Sequence, residues 1–374
     1  MPDETQGKSG LVSIIVPTYR EAENLGLLVR RVAEALRGSP FGYEMIIVDD
    51  NSEDGTEETC ARLAADGHPV RLVVRTGERG LSSAVIRGFR EAMGAILVCM
   101  DADLSHPPEA IPEMIAQFDK ASTDVVIGSR YCKGGSTEED WGLFRWLNSK
   151  VATLLAKPLT RVKDPMAGFF AISREAFERA RNLNPIGYKI GLELIVKCNC
   201  TAITEVPIRF ADRKFGESKL NFREQLRYMK HLKRLYDFRF GNASLFFQFC
   251  VVGATGVVID LSTYTLLLHL GLAITLGRAL AIWVAMTWNF ALNRYLTFTY
   301  SRKASILPQY FRYVASCGIG ALASWSTSMG LVKTVMLFEK HVLVAAVVGI
   351  LLGTVVNFIL SRTWVFRKVA KGDK

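Results

Sequence analysis

A mainly parallel α/β domain followed by an all-α transmembrane domain of four helices is the fold class that this 374-residue sequence predicts. Two observations carry it. In the front of the chain, short β-branched runs alternate with amphipathic stretches of helical period, and charge is spread normally to about residue 240. From Ser244 onward long apolar runs take over. A chain of this length can build two domains, each with its own core. The expected division is residues 1–219 for the α/β domain, 220–243 for an amphipathic linker and 244–374 for the membrane domain.

The strand candidates come in order as "SIIVPTY" (13–19), "YEMIIVDD" (43–50), "VRLVVRT" (70–76), "AILVCMD" (95–101) and "DVVIGSR" (124–130). Between them lie helical patterns such as "NLGLLVRRVAEALR" and "LSSAVIRGFREAM". Continuous apolar strands separated by helices predict a parallel sheet covered on both faces. In such sheets ligands bind beyond the carboxyl ends of the strands. Polar residues cluster at those ends: Tyr19, Arg20 and Glu21; Asp49, Asp50, Asn51 and Ser52; Asp101 and Asp103; Ser129 and Arg130. One crevice can receive them all. Taken singly, "VDDNSEDGT" also reads as a turn and helix cap, and "DAD" as an acidic turn. Their joint placement at neighbouring strand ends favours a site.

Asp101 and Asp103 close the fourth run as two like charges one residue apart. Such a pair is tolerable where a dication lies between the carboxylates and reverses the local balance. Hard oxygen ligands suit Mg²⁺ or Mn²⁺. Pro107 and Pro108 then start the next helix rigidly and fix the loop that aims the carboxylates.

The apolar runs cover about residues 245–270, 279–298, 313–332 and 342–360, each about the 20 residues that a helix needs to cross a bilayer. A large soluble helical core is the alternative, and the scarcity of charge favours spans. Lys230, Lys233, Arg234 and Arg239 precede the first run, Arg302, Lys303 and Arg312 separate the second from the third, and Arg362, Arg367, Lys368 and Lys371 follow the fourth. The other two loops offer mainly Arg278 and Lys340, so both termini and the front domain are expected in the cytoplasm. The first ten residues lack the basic start and apolar stretch of a signal peptide. A net charge of +10 with no nucleic-acid motif predicts contact with anionic lipid and no nucleic-acid partner. Seven scattered cysteines without a CxxC pair predict reduced, structural thiols, "CNC" at 198–200 included. In "NFREQLRYMKHLKRLYDF" (221–238), Phe222, Leu226, Met229, Leu232 and Tyr236 form one helical face with Arg and Lys between, the pattern of an interfacial membrane helix. Packing against the front domain is the plainer reading of that face.

Seven motifs in order, "IIVPTYREAENL", "IIVDDNSEDGT", "GLSSAVIRGF", "MDADLSHPPE", "VIGSRY", "DPMAGFFAISR" and "RKFGESKL", give residues 11–220 a specific resemblance to family 2 glycosyltransferases of the GT-A (Rossmann-like) fold. Within that family the chain resembles the dolichyl-phosphate (polyprenyl-phosphate) mannose synthases. Residues 246–367 resemble GtrA-like four-helix membrane domains, and there "WNFALNRYLTF" (288–298) and "VNFILSRTWVF" (356–366) look like two copies of one motif, 68 residues apart.

The resemblance implies that Pro17, Tyr19, Glu21, Val48 and Asp50 hold the donor nucleotide, and that Asp101 and Asp103 hold the metal and through it the diphosphate. Family members usually carry Gln where this chain has Ser105, so a third ligand here acts through a shorter side chain, with a bridging water expected. Arg130, Arg145 and Ser149 match the acceptor-phosphate positions, Asp101, Asp103, Arg130 and Arg145 being the catalytic set. Helical spacing puts Arg145 and Ser149 on one face, near Trp141 and Trp146. Arg213 is a further candidate for the acceptor phosphate, a solvated surface charge being its alternative. The implied reaction is an inverting, metal-dependent transfer of mannose from GDP-mannose to a polyprenyl (dolichyl) phosphate at the cytoplasmic face. A phosphate acceptor is already largely ionised at neutral pH, its second pKa being about 6, so it needs cationic clamping and no general base. "HPPE" after the acidic pair leans toward mannose, since glucosyl relatives more often have "DPPE". Two alternatives stand beside this reading. One is a UDP-glucose transferase of the same architecture. The other is a lipid-linked sugar translocator with a donor-binding module, for which the intramembrane polar residues Asp260, Asn289, Asn293 and Arg294 speak.

Overall fold

The computed structural model describes residues 10–119, 122–137, 143–187, 189–210 and 222–367, with backbone alone for 143–149 and 222. The chain divides into two compact units, residues 1–239 and 240–374.

In the first unit the predicted alternation is found. It runs β1 (Leu11–Thr18), α1 (Ala22–Ala35), β2 (Gly42–Asp49), α2 (Thr56–Ala65), β3 (Val70–Val74), α3 (Leu81–Glu91), β4 (Ile96–Cys99) and α4 (Ile111–Asp119). Then follow β5 (Val125–Ser129), the two-residue β6 (Ser136–Thr137), α5 (Leu143–Ala156), β7 (Phe170–Ser173), α6 (Arg174–Glu178) and α7 (Ile190–Lys197). The unit closes with β8 (Ile203–Pro207), β9 (Arg209–Phe210) and α8 (Phe222–Phe240). Seven strands form one sheet in the order β3-β2-β1-β4-β7-β5-β8. β1 pairs in parallel with β2 and β4, while β7 runs antiparallel to both β4 and β5. The sheet is therefore mainly parallel with one reversed strand, which brings the start of β7 to the carboxyl ends of its neighbours.

Both faces of the sheet are covered, as its unbroken apolar strands require. Val12, Ile14 and Val16 of β1 join one core with Leu25, Leu28 and Val32 of α1, while Ile15 joins the other with Val85 and Phe89 of α3. Gly88 lets α3 approach closely: a Cβ there would stand 2.5 Å from Ile15 Cγ2.

α8 divides the stripe that the sequence suggests. Leu232 and Leu235 are buried against Ala156, Leu159, Leu192 and Val196, and the hydroxyls of Tyr228 and Tyr236 donate to the carbonyls of Ala152 and Leu155, each at 2.7 Å. Leu226 and Met229 are 55% and 51% exposed. The inward face follows the 228, 231, 232, 235 helical spacing, to which Leu226 and Met229 do not belong.

The second unit holds α9 (Asn242–His269), α10 (Ile274–Leu292), α11 (Ile306–Thr334), the short α12 (Met336–Lys340) and α13 (Val342–Leu360). The segments Asn242–His269 and Val342–Val365 are long and apolar enough to cross a membrane. α10 and α11 carry Arg278 and the pair Arg312 and Lys333. The duplicated motif is a structural repeat: each copy ends in a π-helical turn at the same place, Asn293–Thr297 and Ser361–Val365. In both, the residue after the turn donates its N–H back across it at 2.7 Å, Phe298 to Asn293 and Phe366 to Ser361. Those two rings stack on each other with centroids 4.8 Å apart, flanked by the reciprocal pairs Phe290–Phe366 and Phe298–Phe358.

Candidate active site

The parallel ladder continues just past the strands, through Asp50 N–H to Thr18 O (3.1 Å), Arg75 N–H to Asp49 O (2.8 Å) and Met100 N–H to Ile15 O (3.2 Å). It thereby aligns the polar residues that follow each strand. Of the six non-glycine residues with positive φ among the described residues, Arg20, Asn51, Glu53 and Leu104 all lie in these strand-end loops. Left-handed backbone in side-chain-bearing residues concentrates where a loop must aim groups at a ligand.

After β1 and β2 lies the expected donor side. Pro17 and Val48 are paired in register and buried, and Tyr19 is 39% exposed between the guanidiniums of Arg20 and Arg79, 5.4 and 5.2 Å from its ring. Glu21 accepts from the Asn24 amide at 2.7 Å. Ser52 donates both its N–H and its hydroxyl to Asp49, and its oxygen accepts the Arg20 N–H at 2.8 Å. Asp50 is occupied by its own neighbours: one oxygen takes the Arg75 guanidinium, the other the Gly80 N–H at 2.7 Å. Its carboxylate thus ties down the loop between β3 and α3.

At the end of β4 the Asp101 side chain is 28% exposed, while Asp103 is buried. Asp103 Oδ1 accepts from the Ser105 N–H (3.1 Å) and hydroxyl (2.6 Å), so Ser105, itself 1% exposed, orients the carboxylate. His106, which sequence reasoning used only as a hint of donor preference in "HPPE", accepts the Asp101 N–H on Nδ1 at 3.0 Å and stacks on Phe169. Two hard carboxylates anchored in this way fit Mg²⁺ or Mn²⁺. Among the described residues no cluster of three His, Cys, Asp or Glu gathers, so further positions of such an ion would fall to a donor diphosphate and water.

At the end of β5 the Arg130 guanidinium forms a twin hydrogen bond with Asp164, Nε at 2.8 Å and Nη2 at 2.9 Å, and its N–H adds a third at 3.2 Å. The rings of Tyr131 and Phe210 each lie 5.3 Å from its Cζ. Lys189, also missed from sequence, donates to Met166 O at 3.4 Å. Burial and the charge of Arg130 push its ammonium down to about 8, against the opposing pull of Asp164 and Asp101. Its segment is anchored by Gly187 O, which accepts from Ser82 Oγ (2.7 Å), and by Ile186 N–H, which donates to His231 Nδ1 (3.2 Å). The side chains of Arg145 and Ser149, and the whole of Arg213, lie outside the described residues; the α5 backbone at 145 and 149 is helical. "DPMAGFF" already contained Asp164, yet nothing in its spacing revealed Arg130 as the partner, and "GYK" carries no local pattern that marks Lys189.

Residues 13–181 match glycosyl transferase family 2, and residues 248–366 match the GtrA/DPMS transmembrane domain. A dolichol-phosphate mannosyltransferase from Pyrococcus furiosus is 39% identical over 360 residues, spanning 94% of this chain and 99% of the relative. Another, from Mycosarcoma maydis, is 46% identical over 247 residues, or 64% of this chain and 84% of the relative. Among solved structures, glucosyl-3-phosphoglycerate synthase from Mycobacterium tuberculosis in complex with Mn²⁺, uridine diphosphate and glucosyl-3-phosphoglycerate is 20% identical. It aligns with 63% of this chain and 81% of its own at a TM-score of 0.45.

Proposed function

The chain belongs to the dolichol-phosphate mannosyltransferase family, membrane glycosyltransferases, and from that premise we propose that it transfers mannose from GDP-mannose to a polyprenyl phosphate with inversion. The observation that carries this reading is the pairing of opposite charge across β7. Phe170, the first residue of β7, is in register with Cys99 of β4 and Ile127 of β5, so Asp101 and Asp103 follow on one side and Arg130 on the other. Acidic groups suited to a metal–diphosphate thus flank the same strand as a cation suited to a phosphate nucleophile.

Asp101 and Asp103 would hold a divalent ion, which would stabilise the negative charge that develops on the leaving diphosphate. Ser105 and His106 hold those two residues in place, one through the Asp103 carboxylate and the other through the Asp101 N–H. Arg130, Arg145, Ser149 and Arg213 are assigned to the acceptor phosphate, and Lys189, whose ammonium lies in the field of Arg130, adds a further charge. Tyr19, Glu21, Pro17, Val48 and Asp50 frame the nucleotide. Four spans with both termini and the active site on the cytoplasmic side complete the proposal. Each helical pair returns to the end it started from, where Arg302, Lys303, Arg312 and Arg367 collect.

The test is to incubate the full chain in lipid or detergent with each labelled donor and a short polyprenyl phosphate. Mannose transfer from GDP-mannose is expected; turnover of UDP-glucose with none of GDP-mannose would replace the donor. Asp101→Ala and Asp103→Ala should each lower metal-dependent turnover by at least about a hundredfold, since either removes a hard ligand. Near-normal, metal-dependent rates in either variant would move the ion elsewhere.

A further inference from the structure

Five consecutive residues, 164–168, reach Arg130, Lys189 and the Asp101–His106 contact. Asp164, 0% exposed, holds the Arg130 guanidinium by two bonds. Met166 O accepts from Lys189. Gly168 lies against the acidic pair's support: a Cβ there would stand 3.3 Å from His106 Cε1 and 3.5 Å from Asp101 Oδ2. The loop is itself fixed. Ala167 N–H closes a turn on Asp164 O at 3.2 Å, and the Glu205 carboxylate of β8 accepts the N–H groups of Lys163 (3.0 Å) and Asp164 (3.2 Å).

We propose that this loop is a positioning element that sets the spacing between the metal side and the acceptor side of the reaction centre. Asp164 is the positioning residue for Arg130, and Gly168 acts on Asp101 through His106. The inference rests on the acceptor reading of Arg130 given above. Its physical basis is that a buried ion pair contributes little net stability once desolvation is counted, whereas a twin carboxylate–guanidinium contact fixes a long side chain in one direction. Arg130 is 12% exposed at its side chain, so a guanidinium released from Asp164 would have to find another partner and turn away from the phosphate. On the other side, a methyl group at position 168 would press on His106 Cε1 at 3.3 Å while meeting Asp101 Oδ2 at ordinary contact distance, so the ring must give by a few tenths of an ångström and carry with it the Asp101 N–H that its Nδ1 accepts at 3.0 Å.

Two variants of one loop should therefore show opposite kinetic signatures. Asp164→Asn is expected to raise the KM for a short polyprenyl phosphate about tenfold or more, with the calorimetric affinity for GDP plus Mn²⁺ kept within about twofold. Gly168→Ala is expected to weaken GDP plus Mn²⁺ binding severalfold while the acceptor KM stays within about twofold. If Asp164 acts through Arg130, adding Asp164→Asn to Arg130→Ala costs no more than about twofold further. Arg130→Lys, which keeps the charge and loses the twin contact, tests orientation without touching Asp164 and should behave like Arg130→Ala. A common profile for Asp164→Asn and Gly168→Ala, full additivity of the double variant, or a wild-type acceptor KM in Arg130→Lys overturns the positioning role. An Arg130→Ala variant with unchanged acceptor KM and weakened GDP binding overturns the acceptor reading instead.

Discussion

Lys189 carries the clearest titration in the site. Its ammonium is lowered from the ordinary lysine value to about 8, because burial and the neighbouring Arg130 both oppose its charge. Between about pH 8 and the unfolded lysine pKa of about 10.4 the unfolded chain keeps a proton that the fold has released, so this group makes the fold more stable as pH rises there. Its catalytic value has the opposite sign. In the proposed acceptor role its charge is lost above about pH 8, and kcat/KM for polyprenyl phosphate should fall on that limb. Lys189→Arg keeps its charge throughout, so the limb should shift upward or vanish in its pH–rate profile, with some loss of the maximum. An unchanged alkaline limb would assign the titration to another group.

At the scale of elements, α11 and α13 pack through small residues. A Cβ at Gly349 would stand 2.4 Å from Ser324 O, and one at Gly353 would stand 2.6 Å from Gly320 O. Lipid supplies no hydrophobic drive between helices, so close backbone approach holds such a pair together. Gly353→Leu should therefore cost about 1–3 kcal/mol or more, read as a lowered thermal midpoint of the detergent-solubilised chain. In the front domain, Asp124 joins β5 to the turn before β8 by accepting from the N–H groups of Thr201 and Ala202 (2.8 and 3.1 Å) and from Arg179. Burial raises its carboxyl, but these bonds and the Arg179 charge outweigh it and leave it below the usual range. The stabilisation is thus present above the unfolded carboxyl pKa and lost as pH falls through the lower, folded value. Asp124→Asn should lower the midpoint at neutral pH, and its difference from wild type should shrink below about pH 4 in a pH series of melts. Local patterns explain what could be read in advance. β1, β2, β4 and β5 end their apolar runs in polar residues within two positions of the strand, which delivered Tyr19, Asp50, Asp101 and Arg130 to one edge. β7 has four residues and β8 mixes polar with apolar, so neither shows a period. Asp164 and Arg130 are 34 residues apart, and no spacing rule connects them.

Over the whole molecule, the two compact units meet in sequence between Arg239 and Phe240. All the described groups assigned to donor, metal and acceptor lie in the first, together with the helix α8 that packs on it. A chain ending at Arg239, kept soluble in detergent, is therefore expected to bind GDP plus Mn²⁺ within about threefold of the full protein by calorimetry. A much weaker affinity would show that the second unit helps to form the donor site. That second unit has a history written into it. Phe298 and Phe366 stack where the two copies of the motif meet, an isologous contact of the kind that joins identical subunits, here enclosed in one polypeptide. Fusion frees the copies to diverge. Arg294 is buried and donates to Gln309 and to the carbonyls of Arg302 and Ala304, whereas Arg362 at the same place in the second copy stays half-buried. A homodimer of one hairpin could not make that distinction, because every substitution in one subunit is made in the other.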